Sequence, residues 1–218
     1  MNSEERPSDE APTRVATTQL LAVAGDLLAR YGPSALAARR IAKAAGTSTM
    51  VIYSRFGATG ALHAALRSDG FAHLGMLTAS ATAGIDDPVM ALAAASVAYL
   101  DFGVAQPHRY RFLFVEPARG DEPGRAAFTS LRALIDGCVA AGRFHPDDPD
   151  EQKIVTIWAA QVWALQHGVT SLVLTGTVPA EAAHHVLVDG LTRLCIGYGD
   201  DPGRARHSTA LRAAGDEF

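Results

Sequence analysis

Residues 46–57 read GTSTMVIYSRFG, and the stretch combines two kinds of side chain that seldom belong together. Val51, Ile52 and Phe56 are large and apolar, and one side of a short helix can bury them. Thr47, Ser48, Thr49, Tyr53, Ser54 and Arg55 are hydroxyls and a guanidinium, which a fully buried helix would have to desolvate at a cost. A core helix has no use for the second set, and a surface loop has no use for the first. The segment therefore reads as a helix pinned by one face and presenting the other. Ser48 is placed to cap it, its hydroxyl accepting an N–H of the first turn. Gly57 marks its end.

Working outward, residues 35–45 (ALAARRIAKAA) predict a short helix with Leu36, Ile41 and Ala45 inward and Arg39, Arg40 and Lys43 outward. Gly46 closes it in the left-handed conformation. Helix, tight glycine turn, helix over 35–56 is the helix-turn-helix unit, whose second helix enters the DNA major groove. Upstream, Val15, Leu20, Ala24, Leu27 and Tyr31 form one apolar stripe on a helix over 14–31, stopped by Gly32-Pro33.

Downstream the pattern stays helical. A helix over 60–81 is interrupted in composition only by Gly70 and Gly75. Asp86-Asp87-Pro88 opens the next, with acids at the positive helix end and proline in the first turn, and Pro107 ends it. HRYRFLF (108–114) is a short amphipathic piece, and 121–142 is a helix closed by Gly142. HPDDPDEQ (145–152) opens a long helix to about Gly176, and Pro179 opens the last, to about Gly199. No strand alternation of useful length and no repeat intervenes, so the fold class is all-α. The polar ends, 1–12 and 200–218, read as flexible tails.

The 218 residues, 48% hydrophobic and 19% charged, suffice for a sizeable core and exclude global disorder. No apolar run of the roughly 18 residues needed to cross a membrane is expected. The start, MNSEERPSDEAPTR, lacks the apolar centre of a secretory signal. Cys138 and Cys195 sit in apolar helical patterns, as buried free thiols of a reducing, cytoplasmic setting would. The net charge of −4 conceals an asymmetry. Residues 14–73 carry seven basic side chains against two acids, a net of +5, while the flanking 1–13 and 74–218 carry −3 and −6. A basic segment on an acidic body implies a local polyanionic partner; a merely solvated charged face is the plainer reading.

Residues 14–74 resemble the DNA-binding domain of the tetracycline-repressor (TetR) family. The likeness lies in a long first helix, Ile41-Ala42-x3-Gly46, Ser48-x3-Ile52-Tyr53-x2-Phe56 and Leu62. The rest of the chain resembles an actinobacterial-type branch of that family with a Trp-x3-His-Gly (WHG) element, here Trp163, His167 and Gly168. Pro107-His108-Arg109-Tyr110-Arg111 is similar to that branch as well. The resemblance implies an N-terminal three-helix DNA-binding domain (13–73) and a larger helical ligand-binding and dimerisation domain (74–199). It implies a homodimer that represses transcription from a palindromic double-stranded DNA operator and lets go when a small-molecule effector binds. Two departures weaken usual phosphate contacts: the family often has Thr or Ser near 37 and Lys at 59, where this chain has Ala37 and Thr59.

The candidate DNA contacts are Arg39, Arg40, Lys43, Thr47, Ser48, Thr49, Met50, Tyr53, Ser54, Arg55 and Thr59. Short hydroxyls suit phosphate oxygens, and the resemblance implies a phosphate contact for Tyr53. Arg55 either pairs with guanine, worth about 1–3 kcal/mol of discrimination, or meets a phosphate or a surface carboxylate. Met50 or the Thr49 methyl can pack on a thymine methyl.

In the C-terminal body, aromatic residues at helical spacing are ordinary core one by one, yet a bundle interior is where a ligand cavity forms. The candidate ligand contacts are Tyr99, Phe102, Phe112, Trp158, Gln161 and His167, with His167 also read as a packed, hydrogen-bonded partner of Trp163. The dimer candidates are the last two helices, through Ile154, Ile157, Gln161, Leu165, Leu172, Val186, Leu187, Leu191 and Leu194.

Enzymatic chemistry finds no support. HExxH, GxSxG and a phosphate-cradling glycine loop are missing. Asp147, Asp148, Asp150 and Glu151 beside His145 suit a helix start better than a metal site. His184 and His185 point about 100° apart on a helix. No catalytic residue, metal or cofactor is expected. The rival reading is a helical ligand-binding or scaffold protein whose basic N-terminal segment docks an acidic protein.

Overall fold

The turn at Gly46 decides the geometry of the first part of the chain. In the computed structural model, which describes residues 16–115 and 122–210, Gly46 has a φ of 64°, where any side chain is strained. Its amide donates to Lys43 O at 3.3 Å and the Thr47 amide to Ala42 O at 2.9 Å, the paired bonds of a glycine-closed helix end. Helix α2 (Ala38–Ala44) stops there and α3 (Thr49–Phe56) begins. α1 (Thr17–Tyr31) precedes them. Leu20, Ala24, Leu28, Ala35, Leu36, Ile41, Ala42, Ile52 and Leu62 are all at most 3% exposed and form the interior of this unit, which ends at Leu66.

Three local expectations need correction. The second helix does not start at 35: Pro33, following Gly32, directs 33–35 into a 3-10 turn, and α2 then begins after Ala37, which has no side-chain oxygen to cap it. The buried stripe of α1 is Leu20, Ala24 and Leu28, so Tyr31 falls out of phase and is 53% exposed. Ser48 occupies the N-cap of α3, but its side chain makes no capping hydrogen bond. Arg14, Val15, the 1–12 stretch and residues 211–218 lie outside the described residues.

The second unit, from Arg67 on, contains the remainder of α4 (Thr59–Thr82), then α5 (Pro88–Ala105), α6 (Pro107–Phe114), α7 (Glu122–Ala140), α8 (Glu151–Leu174), α9 (Ala183–Gly197) and α10 (Pro202–Thr209). Carboxylates start three of them. Asp87 accepts from the Val89 and Met90 amides, Asp150 from Lys153, and Asp201 from Gly203 and Arg204. The core joins Val89, Leu92 and Ala93 of α5 to Ile135 and Cys138 of α7, Val155, Ala159 and Val162 of α8, and Leu191 and Cys195 of α9. Cys138 and Cys195 are buried free thiols, and burial pushes both above the usual thiol range.

α5 corrects the expectation that no apolar run is long enough for a membrane. Its 18 residues reach a mean hydropathy of 1.6, but 61% of the stretch is buried inside the protein, where it serves as the central core helix. α10 corrects the expectation of a flexible tail from 200. Asp201-Pro202 starts it as Asp87-Pro88 starts α5, and Ala205, Ser208 and Thr209 are buried.

Arg143, 2% exposed, fastens α10 in place. Its Nε and Nη2 each donate to Asp200 at 2.7 Å, Nη1 donates to both Asp87 oxygens at 2.8 and 2.9 Å, and Nη2 reaches Ser208 at 3.1 Å. The Asp200 hydrogen bonds chiefly hold the guanidinium above its ordinary pKa. Burial pushes the Asp87 carboxyl up, but hydrogen bonds from Ser208, the Met90 amide, Arg143 and the Val89 amide outweigh it and leave it lowered.

Candidate nucleic-acid interface and ligand cavity

α3 is anchored chiefly by Ile52, 2% exposed, with Val51 and Phe56 half-buried beside it. Its other side is open: Met50 is 78% and Tyr53 49% exposed, and Ser48, Thr49, Ser54 and Arg55 are exposed with them, while Thr47 is half-buried. Arg39, Arg40 and Lys43 are exposed on α2, as is Thr59 at the start of α4. The Ser54 hydroxyl donates to Val51 O at 3.0 Å, and the Arg40 guanidinium lies 4.4 Å above the Tyr31 ring.

Among the described residues no carboxylate pairs with Arg39, Arg40, Lys43 or Arg55, and the sequence explains why: no acidic residue stands between Asp26 and Asp69. Four cations, several hydroxyls and a phenol thus share short rigid helices with no counter-charge. A helix about 10–12 Å across matches a major groove about 12 Å wide, and such groups meet phosphates and base edges.

Within the C-terminal unit, α4, α5, α7 and α8 line a cavity of about 570 Å³ that is partly open to solvent. α4 lines it with Ser68, Phe71, Ala72, Leu74, Gly75 and Thr78, and α5 with Ala95 and Tyr99. α7 contributes Glu122, Pro123, Ala126, Ala127, Ser130, Leu131 and Leu134, and α8 contributes Trp163 and Gln166. The space exists because Ala72, Gly75, Ala95, Ala126 and Ala127 face it with little side-chain volume. Its size suits a drug-sized molecule.

An aromatic cluster stiffens one wall. The Tyr99 hydroxyl lies 2.7 Å from His167 Nδ1. The His167 ring stacks on Trp163 at 5.1 Å and 26° and on Tyr99 at 5.4 Å and 21°, while Phe114 meets it edge-on at 4.8 Å. Burial pulls the imidazole down to about 4, so it is neutral at pH 7.

Of the six candidate ligand contacts only Tyr99 lines the cavity. Phe102 and Phe112, each 2% exposed, are core. Trp158 stacks on Tyr198 at 4.6 Å, and Gln161 accepts the Tyr198 hydroxyl at 2.8 Å. His167 stands behind Tyr99 and Trp163. Sequence reasoning missed Phe71, Trp163 and Gln166.

On α8 and α9, Ile157, Leu172 and Val186 are 41–42% exposed. Leu187 and Leu191, expected at a dimer face, are 0% and 1% exposed in the chain's own core, and Leu165 and Leu194 pack against that core. α9 is amphipathic toward its own unit, which uses up these leucines.

A helix-turn-helix unit with an acid-free basic face, followed by a helical domain with a cavity between its helices, defines a DNA-binding transcriptional regulator. Residues 20–66 match the family model for bacterial regulatory proteins of the tetR family, and residues 92–195 match that for the Tetracyclin repressor-like C-terminal domain. Together these matches span more than half of the chain, which belongs to the tetR family.

Solved structures share the fold. One is a protein with unknown function from Rhodococcus sp. RHA1, at 23% identity and a TM-score of 0.73, covering 87% of this chain and 99% of that one. RolR in complex with the ligand resorcinol follows at 16% identity and 0.67, covering 89% and 93%. The fatty acid degradation regulator FadR from Bacillus halodurans has 14% identity and 0.67, covering 89% and 100%. No curated protein matches the chain in sequence.

Proposed function

We propose that this chain is a ligand-responsive repressor: a homodimer seats two α3 helices on a palindromic operator, and a small molecule in the C-terminal cavity releases it. One observation carries the DNA reading. The face of α2 and α3 exposes Arg39, Arg40, Lys43, Tyr53 and Arg55 with no acid between Asp26 and Asp69 to oppose a phosphate. In this reading Thr47, Ser48, Thr49, Tyr53, Ser54 and Thr59 hold phosphates, and Arg55 and Met50 meet base edges.

The dimer forms through α8 and α9, where Ile157, Leu172 and Val186 are exposed and Ala160, Ala164 and Gly168 permit close approach of a second copy. The effector reading rests on the cavity and draws support from RolR, a protein of this fold whose structure holds the ligand resorcinol. α4 carries Leu62 and Leu66, buried in the first unit, as well as the cavity residues Ser68 to Thr78. A ligand that shifts the second half of α4 therefore acts on a helix the DNA-binding unit also uses. The stacking of Trp163 on His167, next to Gly168, supports placing the chain in the WHG branch. The protein works in the cytoplasm and has no catalytic role.

A mobility-shift assay with the DNA upstream of the gene, at two salt concentrations, tests the reading. A protein neutralising about 6–10 phosphates loses about 10³–10⁵ in affinity between 50 and 200 mM salt. A specific band that weakens steeply with salt is expected. Equal competition by bulk DNA and by the upstream fragment would favour the acidic-protein docking reading instead.

A further inference from the structure

The kind of molecule the cavity accepts follows from the charges and the hydrogen-bonding capacity its walls leave open. Among the described residues no lysine, arginine or histidine lines it, and Glu122 is the one carboxylate there. An anion would give up part of its hydration against these walls and meet no counter-charge among the described lining residues. A cation gains little from Glu122, which already pairs with Arg125 on the exposed start of α7.

The side-chain protons around the cavity are mostly committed within the protein. Thr78 Oγ1 donates to Leu74 O and Gly75 O at 3.2 and 3.0 Å. Ser130 Oγ donates to Ala126 O at 3.1 Å, and Gln166 Nε2 donates to Ser96 Oγ at 2.8 Å. The Tyr99 hydroxyl is engaged with His167. Ser68, exposed on α4, is the lining hydroxyl with no partner among the described residues. What the hydroxyls of Thr78 and Ser130 still offer a ligand is therefore oxygen lone pairs.

Resting on the reading of this cavity as the effector site, we propose that it takes an uncharged, largely apolar molecule that donates a hydrogen bond. A phenol or an alcohol on a hydrocarbon frame fits this description; an acid or an anionic lipid does not. The frame packs against Phe71, Leu131 and Trp163, and the hydroxyl donates to Thr78 or Ser130.

Three probes on one frame test it: 4-hexylphenol, 4-hexylanisole and 4-hexylbenzoate, titrated into the full chain and followed by tryptophan fluorescence and calorimetry. The phenol is expected to bind up to about tenfold tighter than either of the others, the upper end of what one net hydrogen bond contributes. Thr78→Val, which keeps the shape and removes the acceptor, is expected to narrow the phenol-to-anisole ratio, or Ser130→Ala to do so if that hydroxyl is the partner. Gly75→Leu, at a lining position with open space around it, is expected to weaken binding of all three alike. Benzoate binding as tight as the phenol, equal binding of phenol and anisole, or no phenol binding up to its solubility overturns the proposal. Benzoate-selective binding that still releases operator DNA would overturn the ligand class and leave the regulator reading standing. Phenol-selective binding that leaves operator affinity unchanged would do the reverse.

Discussion

Arg143 ties together distant parts of the C-terminal unit, and nothing near it in the sequence announces this. Its partners Asp87, Asp200 and Ser208 stand 56, 57 and 65 positions away. Arg143→Met leaves Asp200, 4% exposed, without its cation, and is expected to cost about 3–5 kcal/mol in urea unfolding. Adding Asp200→Asn should restore part of that loss.

His167 makes a pH prediction. Its folded pKa of about 4 lies below the ordinary 6.5, so the unfolded chain binds the proton first as pH falls. The stability it supports is complete above about 6.5 and is lost as pH drops toward 4. In His167→Gln the fall in stability across that window should shrink. On the DNA face, Tyr53→Phe should weaken binding to all operator variants alike. Arg55→Ala should in addition relax preference at one base pair, read from affinities across single-base variants.

Helices were the most legible level, because their ends are written in local chemistry. Asp87-Pro88 and Gly46 each act within one turn, and α3, α5, α6, α8 and α9 lie close to where such signals set them. The misses have equally local causes. α10 carries the same Asp-Pro start but is short and polar, and only its burial against the Arg143 cluster makes it hold. A three- to five-residue rhythm tolerates a phase error of one residue, enough to turn Tyr31 to solvent.

Two glycines separate packing from propensity. A Cβ on Gly103 of α5 collides with Thr170 Cγ2 and sits 3.1 Å from Tyr110, so Gly103→Ala should destabilise by about 1–3 kcal/mol. Gly75→Ala, with open space at the same position on α4, should stabilise by about 0.5–1 kcal/mol. Thermal unfolding of the pair distinguishes the two effects.

At the scale of the whole molecule, the glycine turn between two short helices marks the helix-turn-helix segment, and the charge asymmetry adds that this segment is basic beside an acidic helical body. The cavity was not legible in the same way. It is a void left by Ala72, Gly75, Ala95, Ala126 and Ala127 on three helices, and voids depend on how helices pack, which residue lists do not specify. The aromatic residues Phe102, Phe112 and Trp158 fill space instead. The exposed apolar residues of α8 and α9 lead to a dimer prediction: the chain should sediment as a dimer at micromolar concentration, and Ile157→Asp with Val186→Asp should yield monomers that no longer hold an operator.

In the proposed complex α3 reads duplex DNA in a two-fold symmetric assembly. Selection of bound sequences from random duplex DNA by the full chain tests it most directly. Enrichment of one inverted repeat, lost when Tyr53 and Arg55 are both replaced by alanine, is the predicted result. Recovery of no preferred sequence, or of the same sequence by the doubly substituted chain, would contradict it.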